Sequence, residues 1–488
     1  LLSALYLATI DVSYATEAQH TQKTIGETTA LIAEAGLSDE DLKDGASGNV
    51  NFPFASFKAI ATIGEVDAKS GLALTGYPDG HAVWLKDNDT IRVVYQSESY
   101  ATLGRSPAPE TYPWEMETGV TFTGSHVHTI DYDREAFAEF LDNDKAANTM
   151  VKTSGKLFNK IFNGFGNLVT PSSPDTTNLS GKWGNQTRPD GTVIQFKPKY
   201  ALSEADFFFQ SFCGAWYEPA NKYGEGMGFS DDVWLAAEEW EISPMFPSDD
   251  KDANATLGLA SIVVDIANKT AYTAPALGQT GYEKLMPIHS GHKDYVVIVA
   301  AGYNHGYEPA PNRIYVGMKN RDANGRQIDY QTASPRDAFL ARNGLLYGKI
   351  YGLALTPETF AALGLEVNPQ DKMVDSYLKN ADAPDRFQGR FYPTSYQWTG
   401  FDNPVAVKNT EMMLWDSEEE QPEGYTFFNG DTKTEHPAVD PSGKARYFQN
   451  MTDEGALMGF DLGNLGEVFA TANNELPPHL DVSVIRSV

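Results

Sequence analysis

An all-β fold is predicted for most of this 488-residue chain, and three observations predict it. From about Phe52 onward, short runs rich in Val, Ile, Tyr and Thr alternate with clusters of Gly, Asn, Asp and Pro, the pattern of strands bounded by turns. No strand-helix alternation long enough for a doubly wound parallel sheet is visible. The 42 glycines and 27 prolines suit a chain with many turns. A β structure of this size must cover its strand edges, and the radial repetition of a β-propeller is the favoured way to do so. No clean blade-length repeat is legible by eye.

Taken in order, residues 17–46 place Ile25, Leu31, Ile32, Ala35 and Leu37 at helical intervals with Gly36 as a stop. Residues 1–50 are therefore expected to be an N-terminal helical extension and residues 51–488 the β domain. Residues 82–85, a turn at 86–89 and residues 91–95 read as a hairpin. Residues 134–162, with Phe137, Phe140, Leu141, Leu157 and Ile161, read as a helical insertion. Residues 171–192, rich in Ser, Thr, Asn, Gly and Pro, read as a long loop. Residues 295–300 and 314–316 flank another loop as strands, and residues 356–363 read as a short helix with Pro357 in its first turn. The acidic run 416–420 reads as a solvated loop.

Composition narrows the function. Lys and Arg number 37 against 66 Asp and Glu, a formal charge of −29. A field this negative repels phosphate backbones and anionic lipid, which excludes nonspecific nucleic-acid or membrane-surface binding and favours cations. The 41% hydrophobic and 12% aromatic content excludes intrinsic disorder. The single cysteine, Cys213, excludes an intrachain disulfide and a Cys-rich zinc module. The chain begins at Leu1 without methionine, as a processed or incomplete start would. Its first ten residues lack a basic n-region and are too short to span a bilayer, so a packed terminal segment and no membrane span are expected. Six Asn-x-Ser/Thr sequons, at Asn88, Asn178, Asn185, Asn254, Asn268 and Asn450, permit glycosylation in a eukaryotic source. The excess acid suits a solvated extracellular, periplasmic or cell-surface protein.

Several familiar chemistries are missing: there is no Walker A loop, G-x-S-x-G elbow, H-E-x-x-H helix or C-x-x-C pair. Asp250-x-Asp252-x-Asn254 fails as an EF-hand, with Ala255 at the glycine position and Ser261 at the glutamate position. Asp322-x-Asn324-Gly325 reads as a hairpin turn. His126 and His128 share one face of a strand, at a spacing a common metal needs, but no third ligand is in sight. Cys213 follows an aromatic run, the setting of an inert core thiol. Glu238, Glu239 and Glu241 follow a hydrophobic run between two tryptophans, where carboxylates are costly to bury unless paired or bound to a cation.

The order of several segments resembles the PhoX-type alkaline phosphatases, metal-dependent extracellular phosphomonoesterases with a propeller body. Tyr77-Pro78-Asp79-Gly80, with the strand ending in Ser97-Glu98, looks like that family's P-D-G segment and its strand ending in N-H-E. Ser211-Phe212-Cys213 resembles its R-x-C-S, and Ala237-Glu238-Glu239 its G-E-E. Pro275-Ala276-Leu277-Gly278 with Tyr282-Glu283 resembles its P-x-L-G and W-E, while residues 315–319 and 343–348 match further family segments. Lys408-Asn409-Thr410-Glu411 with Leu414-Trp415-Asp416 resembles its R-P-E-D-G-A-W-D. The resemblance implies six blades, an iron and calcium centre, and metal roles for Asp79, Glu98, Cys213, Glu238, Glu239, Glu283 and Glu411. Gln210, Ser211 and Asn409 depart from the family's glutamate and arginines, and Tyr303-Asn304-His305 stands where it has aspartates. Asparagine does not reproduce an arginine's bidentate phosphate contact. Substrate contact would then fall to groups such as Asn409, His305 or Lys408.

Two functions follow as expectations. One is a secreted metal-dependent phosphoesterase acting on small phosphate esters. The other is a noncatalytic extracellular or surface protein on the same scaffold, self-assembling or binding calcium. A calcium-dependent esterase or lactonase would keep the carboxylates and need no thiol.

Overall fold

The structure is a computed structural model that describes residues 23–27, 58–98, 114–122, 125–143, 145–162, 166–171, 185–187, 193–195, 212–239, 261–278, 281–302, 311–369, 371–394 and 421–487. Strand outweighs helix by 41% to 14%, in line with the predicted fold class.

Tyr77–Asp87 (β1) and Thr90–Glu98 (β2) form the expected hairpin. Trp114–Glu115 (β3) and Thr121–Phe122 (β4) pair with each other, and His126–Asp133 (β5) and Val151–Lys156 (β6) complete a sheet of order β1-β2-β5-β6. Lys160–Phe162 (β7) is next, and Asn185–Thr187 (β8) pairs with Val193–Gln195 (β9). Part of the segment expected to be a loop is therefore a strand. Trp216–Glu218 (β10), Val233–Ala237 (β11), Ser261–Asp265 (β12) and Thr270–Thr273 (β13) form an antiparallel meander that β7 extends in parallel.

The remaining strands belong to one ten-stranded sheet. They are Tyr282–Ile288 (β14), Tyr295–Gly302 (β15), Arg313–Met318 (β16), Gly348–Leu355 (β17), Arg386–Pro393 (β18), Thr426–Phe427 (β19), Thr434–Val439 (β20), Arg446–Met451 (β21), Ala456–Asp461 (β22) and Leu480–Ser487 (β23). The order is β14-β15-β16-β17-β18-β23-β22-β21-β20, with β19 on the side of β17. The sheet is nearly closed and barrel-like: Thr434 at the start of β20 accepts a hydrogen bond from Gly302 N at 2.8 Å and donates one to Gly302 O at 3.0 Å, at the end of β15.

Alternation explains why β15 is apolar throughout and β14, β16 and β17 largely so. Tyr295, Val297, Val299, Ile314, Val316, Tyr351 and Leu353 face a core shared with β18 and β21–β23. Val296, Ile298, Ala300, Tyr315 and Ile350 face a second core shared with β11–β13 and the helix Pro335–Arg342. Strands buried on both faces lose the polar alternation of a half-exposed strand.

The chain divides into two compact units, residues 1–74, 85–91 and 130–154 in one and residues 75–84, 92–129 and 155–488 in the other. In the first unit, residues 23–27 form a bridge and a turn where a helix is expected; the rest of the helical reading over 17–46 lies outside the described residues. Thr24 bridges to Val66, and the buried Glu65 carboxylate accepts from Gly26 N and Thr62 N at 2.8 Å each. These tertiary bonds override the helical spacing. The helix Arg134–Asp142 starts at its cap Asp133, whose carboxylate accepts from Glu135 N and Ala136 N. The expected insertion ends there and in the short 3-10 turn Ala147–Met150, because residues 151–156 and 160–162 join sheets instead. In the second unit the short helix appears as expected, Pro357–Ala362, with Thr356 accepting from Thr359 N.

Candidate metal centre

Cys213 lies in the segment before β10, held from several sides. Gly80 N donates to Cys213 O at 3.0 Å, Gln96 Nε2 donates to the carbonyls of Cys213 and Gly214, and Trp234 Nε1 donates to Gln96 Oε1 at 3.1 Å. Phe212 bridges to Glu238, just past β11, and its N–H donates to Ser125 Oγ at 3.2 Å. On the other side Gly214 runs against β14: a Cβ there would lie 2.5 Å from Glu283 O. Only glycine permits that approach.

Five acidic or thiol groups far apart in the chain meet here. Asp79, Glu98 and Cys213 offer ligand atoms within 4.8 Å of one another, and so do Cys213, Glu239 and Glu283. The thiol belongs to both sets. Asp79 comes from the start of β1, Glu98 from the end of β2, Glu239 from beyond β11 and Glu283 from β14. The β14-β15 register shifts between Tyr282 and Lys284, so Glu283 sits on a bulge. A second shift, between Glu435 and Ala438 of β20, coincides with a left-handed backbone at His436, φ 42°. Bulges of this kind re-aim side chains beside functional sites.

The cluster is buried and its charge is partly compensated. Glu239 is 3% exposed, Glu283 1% and Cys213 6%. Lys433 Nζ pairs with Glu239 Oε1 and Glu435 Oε1 and lies 3.8 Å from Glu283 Oε2. His436 Nδ1 is 3.8 Å from Glu283 Oε1. Among the described residues Glu283 Oε2 has no hydrogen-bond partner. Burial pushes the Glu98 carboxyl up to about 8, with the charges of Glu239 and Asp79 adding to the effect. Burial and the Glu239 charge push Glu283 up to about 8 as well. The Cys213 thiol is driven far above its usual range by burial and then by Glu283, Glu239 and Asp79, so it keeps its proton and donates it to Asp79 Oδ2 at 3.0 Å. Burial alone would lower Lys433, but its hydrogen bonds to Glu239 and Glu435 outweigh that and hold it above the ordinary lysine value.

Such a donor set suits a multivalent cation: carboxylate oxygens for a hard ion, one thiol for a borderline one, and a buried oxygen with no hydrogen bond. Binding would release the protons held on Glu98, Glu283 and Cys213.

Of the residues marked in the sequence, Asp79, Glu98, Cys213, Glu239 and Glu283 are brought together. Glu238 is fully buried but stands outside both sets, in its bridge with Phe212. Glu411, Asn409, His305 and Lys408 lie outside the described residues, as do Gln210, Ser211 and the Asp250-x-Asp252-x-Asn254 run. His126 and His128 do not join the cluster. Both are buried, both reach Thr75 Oγ1, at 3.2 and 3.1 Å, and their rings stack on Trp114 and Tyr95. Asp322 is a turn residue as expected, accepting from Asn324 N and Arg326 N at 2.9 Å each. Lys433 and Glu435 were not singled out by the sequence. Their one signal is Thr432-Lys433-Thr434-Glu435, a polar run opening a strand that turns out only partly exposed.

Comparison with family models, curated proteins and solved structures returns no match to this chain.

Proposed function

We propose that this protein is a metal-dependent phosphoesterase of the PhoX type, acting on small phosphate esters outside the cytoplasm. The observation that carries the proposal is the meeting of Asp79, Glu98, Cys213, Glu239 and Glu283, residues spread over some two hundred positions, around one thiol. In this reading Cys213, Glu239 and Glu283 would hold one multivalent ion and Asp79 and Glu98 would offer oxygens to it or to a second, the carboxylates suiting calcium and the thiol among them suiting iron. Glu411 would add a further carboxylate. When bound, multivalent cations supply Lewis-acid stabilisation for a phosphoryl group. The chain's own part is to exclude water by burial, to orient Cys213 through Gly80 and Gln96, and to hold its thiol through the hydrogen bond to Asp79. A six-bladed propeller is part of the same proposal: the meander β14–β17 is packed on both faces as a blade would be, while its continuation through β18 into the ten-stranded sheet is a departure from separate blades.

Metal analysis of protein purified without chelator, together with hydrolysis of 4-nitrophenyl phosphate, tests this. Stoichiometric iron or calcium with phosphate release is expected; neither metal and no hydrolysis would sink it. One observation favours a noncatalytic scaffold instead: Lys433 already supplies a positive charge to Glu239 and Glu435. Bound metal without hydrolysis of any phosphate ester would select that reading.

A further inference from the structure

The Lys433 ammonium occupies the position a cation would seek. It pairs with Glu239 Oε1 and lies 3.8 Å from Glu283 Oε2, the carboxylate oxygen with no hydrogen-bond partner among the described residues. Both carboxylates belong to the set that converges on Cys213. The ammonium also has a partner outside that set: Glu435, two residues on, whose carboxylate is steadied by Thr452 Oγ1 at 2.7 Å. The Lys433 backbone is fixed independently of its side chain, since its N–H donates to Asp453 Oδ2 at 3.1 Å and its carbonyl accepts from Thr452 N at 3.0 Å. Only the flexible stem has to move. An ammonium and a divalent ion drawn to the same two carboxylates repel each other at close range. The two cations therefore exclude each other from Glu239 and Glu283.

We infer that Lys433 is a tethered counter-ion that competes with metal for Glu239 and Glu283, and that it withdraws toward Glu435 when a metal ion enters. The inference rests on the metal-centre reading. It makes the site self-neutralising when metal is scarce.

Calcium titration of chelator-stripped full-length protein by calorimetry, with thermal melts of the same samples, tests it. Lys433→Met should bind calcium at least tenfold more tightly than the wild type, while its metal-free form melts lower. Glu435→Gln, which removes the alternative partner, should bind at least threefold more weakly. A folded Lys433→Met protein that binds calcium no more tightly than the wild type overturns the exchange and leaves the metal centre standing. If neither wild type nor Lys433→Met binds calcium, or iron in a parallel titration, the metal-centre reading falls and the exchange falls with it.

Discussion

Glu283→Gln should stabilise the metal-free protein at high pH and leave it unchanged at low pH. The Glu283 carboxyl is raised from 4.5 to about 8 by burial and by the neighbouring Glu239 charge. The folded state then holds a proton that the unfolded state gives up near pH 4.5. Below that pH both states are protonated and the group contributes nothing. Between 4.5 and 8 the native state loses stability with rising pH, and above 8 the full cost of an ionised buried carboxylate is present. At about 1.4 kcal/mol per pKa unit, that cost is about 5 kcal/mol. Glu98 titrates in the same range and shares Glu239 as a neighbour, so the protons trade between the two groups. A gain of about 3 kcal/mol at pH 8.5 is the floor expected for the variant, since glutamine mimics the neutral carboxyl in shape. At about 2.1 cal/mol/K of unfolding entropy per residue, a chain of this length gains about 1 °C per kcal/mol. Melts in chelator from pH 5.5 to 8.5 should therefore show the variant's advantage growing by about 2 to 3.5 °C, since about 1.4 kcal/mol of it is already present at pH 5.5. A constant offset across that range, or a variant less stable than the wild type at pH 8.5, would refute the assignment of a protonated Glu283.

Two further outcomes concern the scaffold. Arg486, 4% exposed, donates to the carbonyls of Tyr377, Asn380 and Ala383 at 2.7 to 2.9 Å and pairs with Asp385 at 2.9 Å. Arg486→Met leaves those buried carbonyls without their donor and should cost about 3 to 5 kcal/mol in denaturant melts; a loss under about 1 kcal/mol would show that water replaces the guanidinium. Gly302→Ala places a Cβ 2.5 Å from Tyr282 Cα and 2.7 Å from Glu283 N. It should displace the β14 bulge and weaken calcium binding more than tenfold by calorimetry, and binding at wild-type strength would mean that the bulge does not aim Glu283.

What could be read in advance was whatever short-range chemistry decides. The Asn88-Asp89 turn between β1 and β2, the Thr356 cap before Pro357 and the unbroken apolar run of β15 each follow from neighbouring residues, and each appears where expected. The strand at 151–156 was misread because Leu157 and Ile161 are four apart, a spacing that fits a helix as well as it fits two strands joined by a short link. Pairing of β7 with β13, over a hundred residues away, decides the outcome. The site divides in the same way. Its acids could be named from resemblance, but whether they meet depends on Gly214 lying against the Glu283 backbone and on two register shifts, none of which has a period in the sequence. Lys433 was invisible for a stronger reason. A lysine opening a polar strand reads as solvated, and in a chain with 66 acidic residues no particular acid marks itself as its partner. Its half-burial makes sense only once Glu239 and Glu435 are brought beside it, because the buried Glu239 charge would otherwise stand uncompensated. The formal charge of −29 thus divides into a solvated majority and a few carboxylates whose repulsion is met from within the chain, and that internal balance is what an incoming metal ion would have to displace.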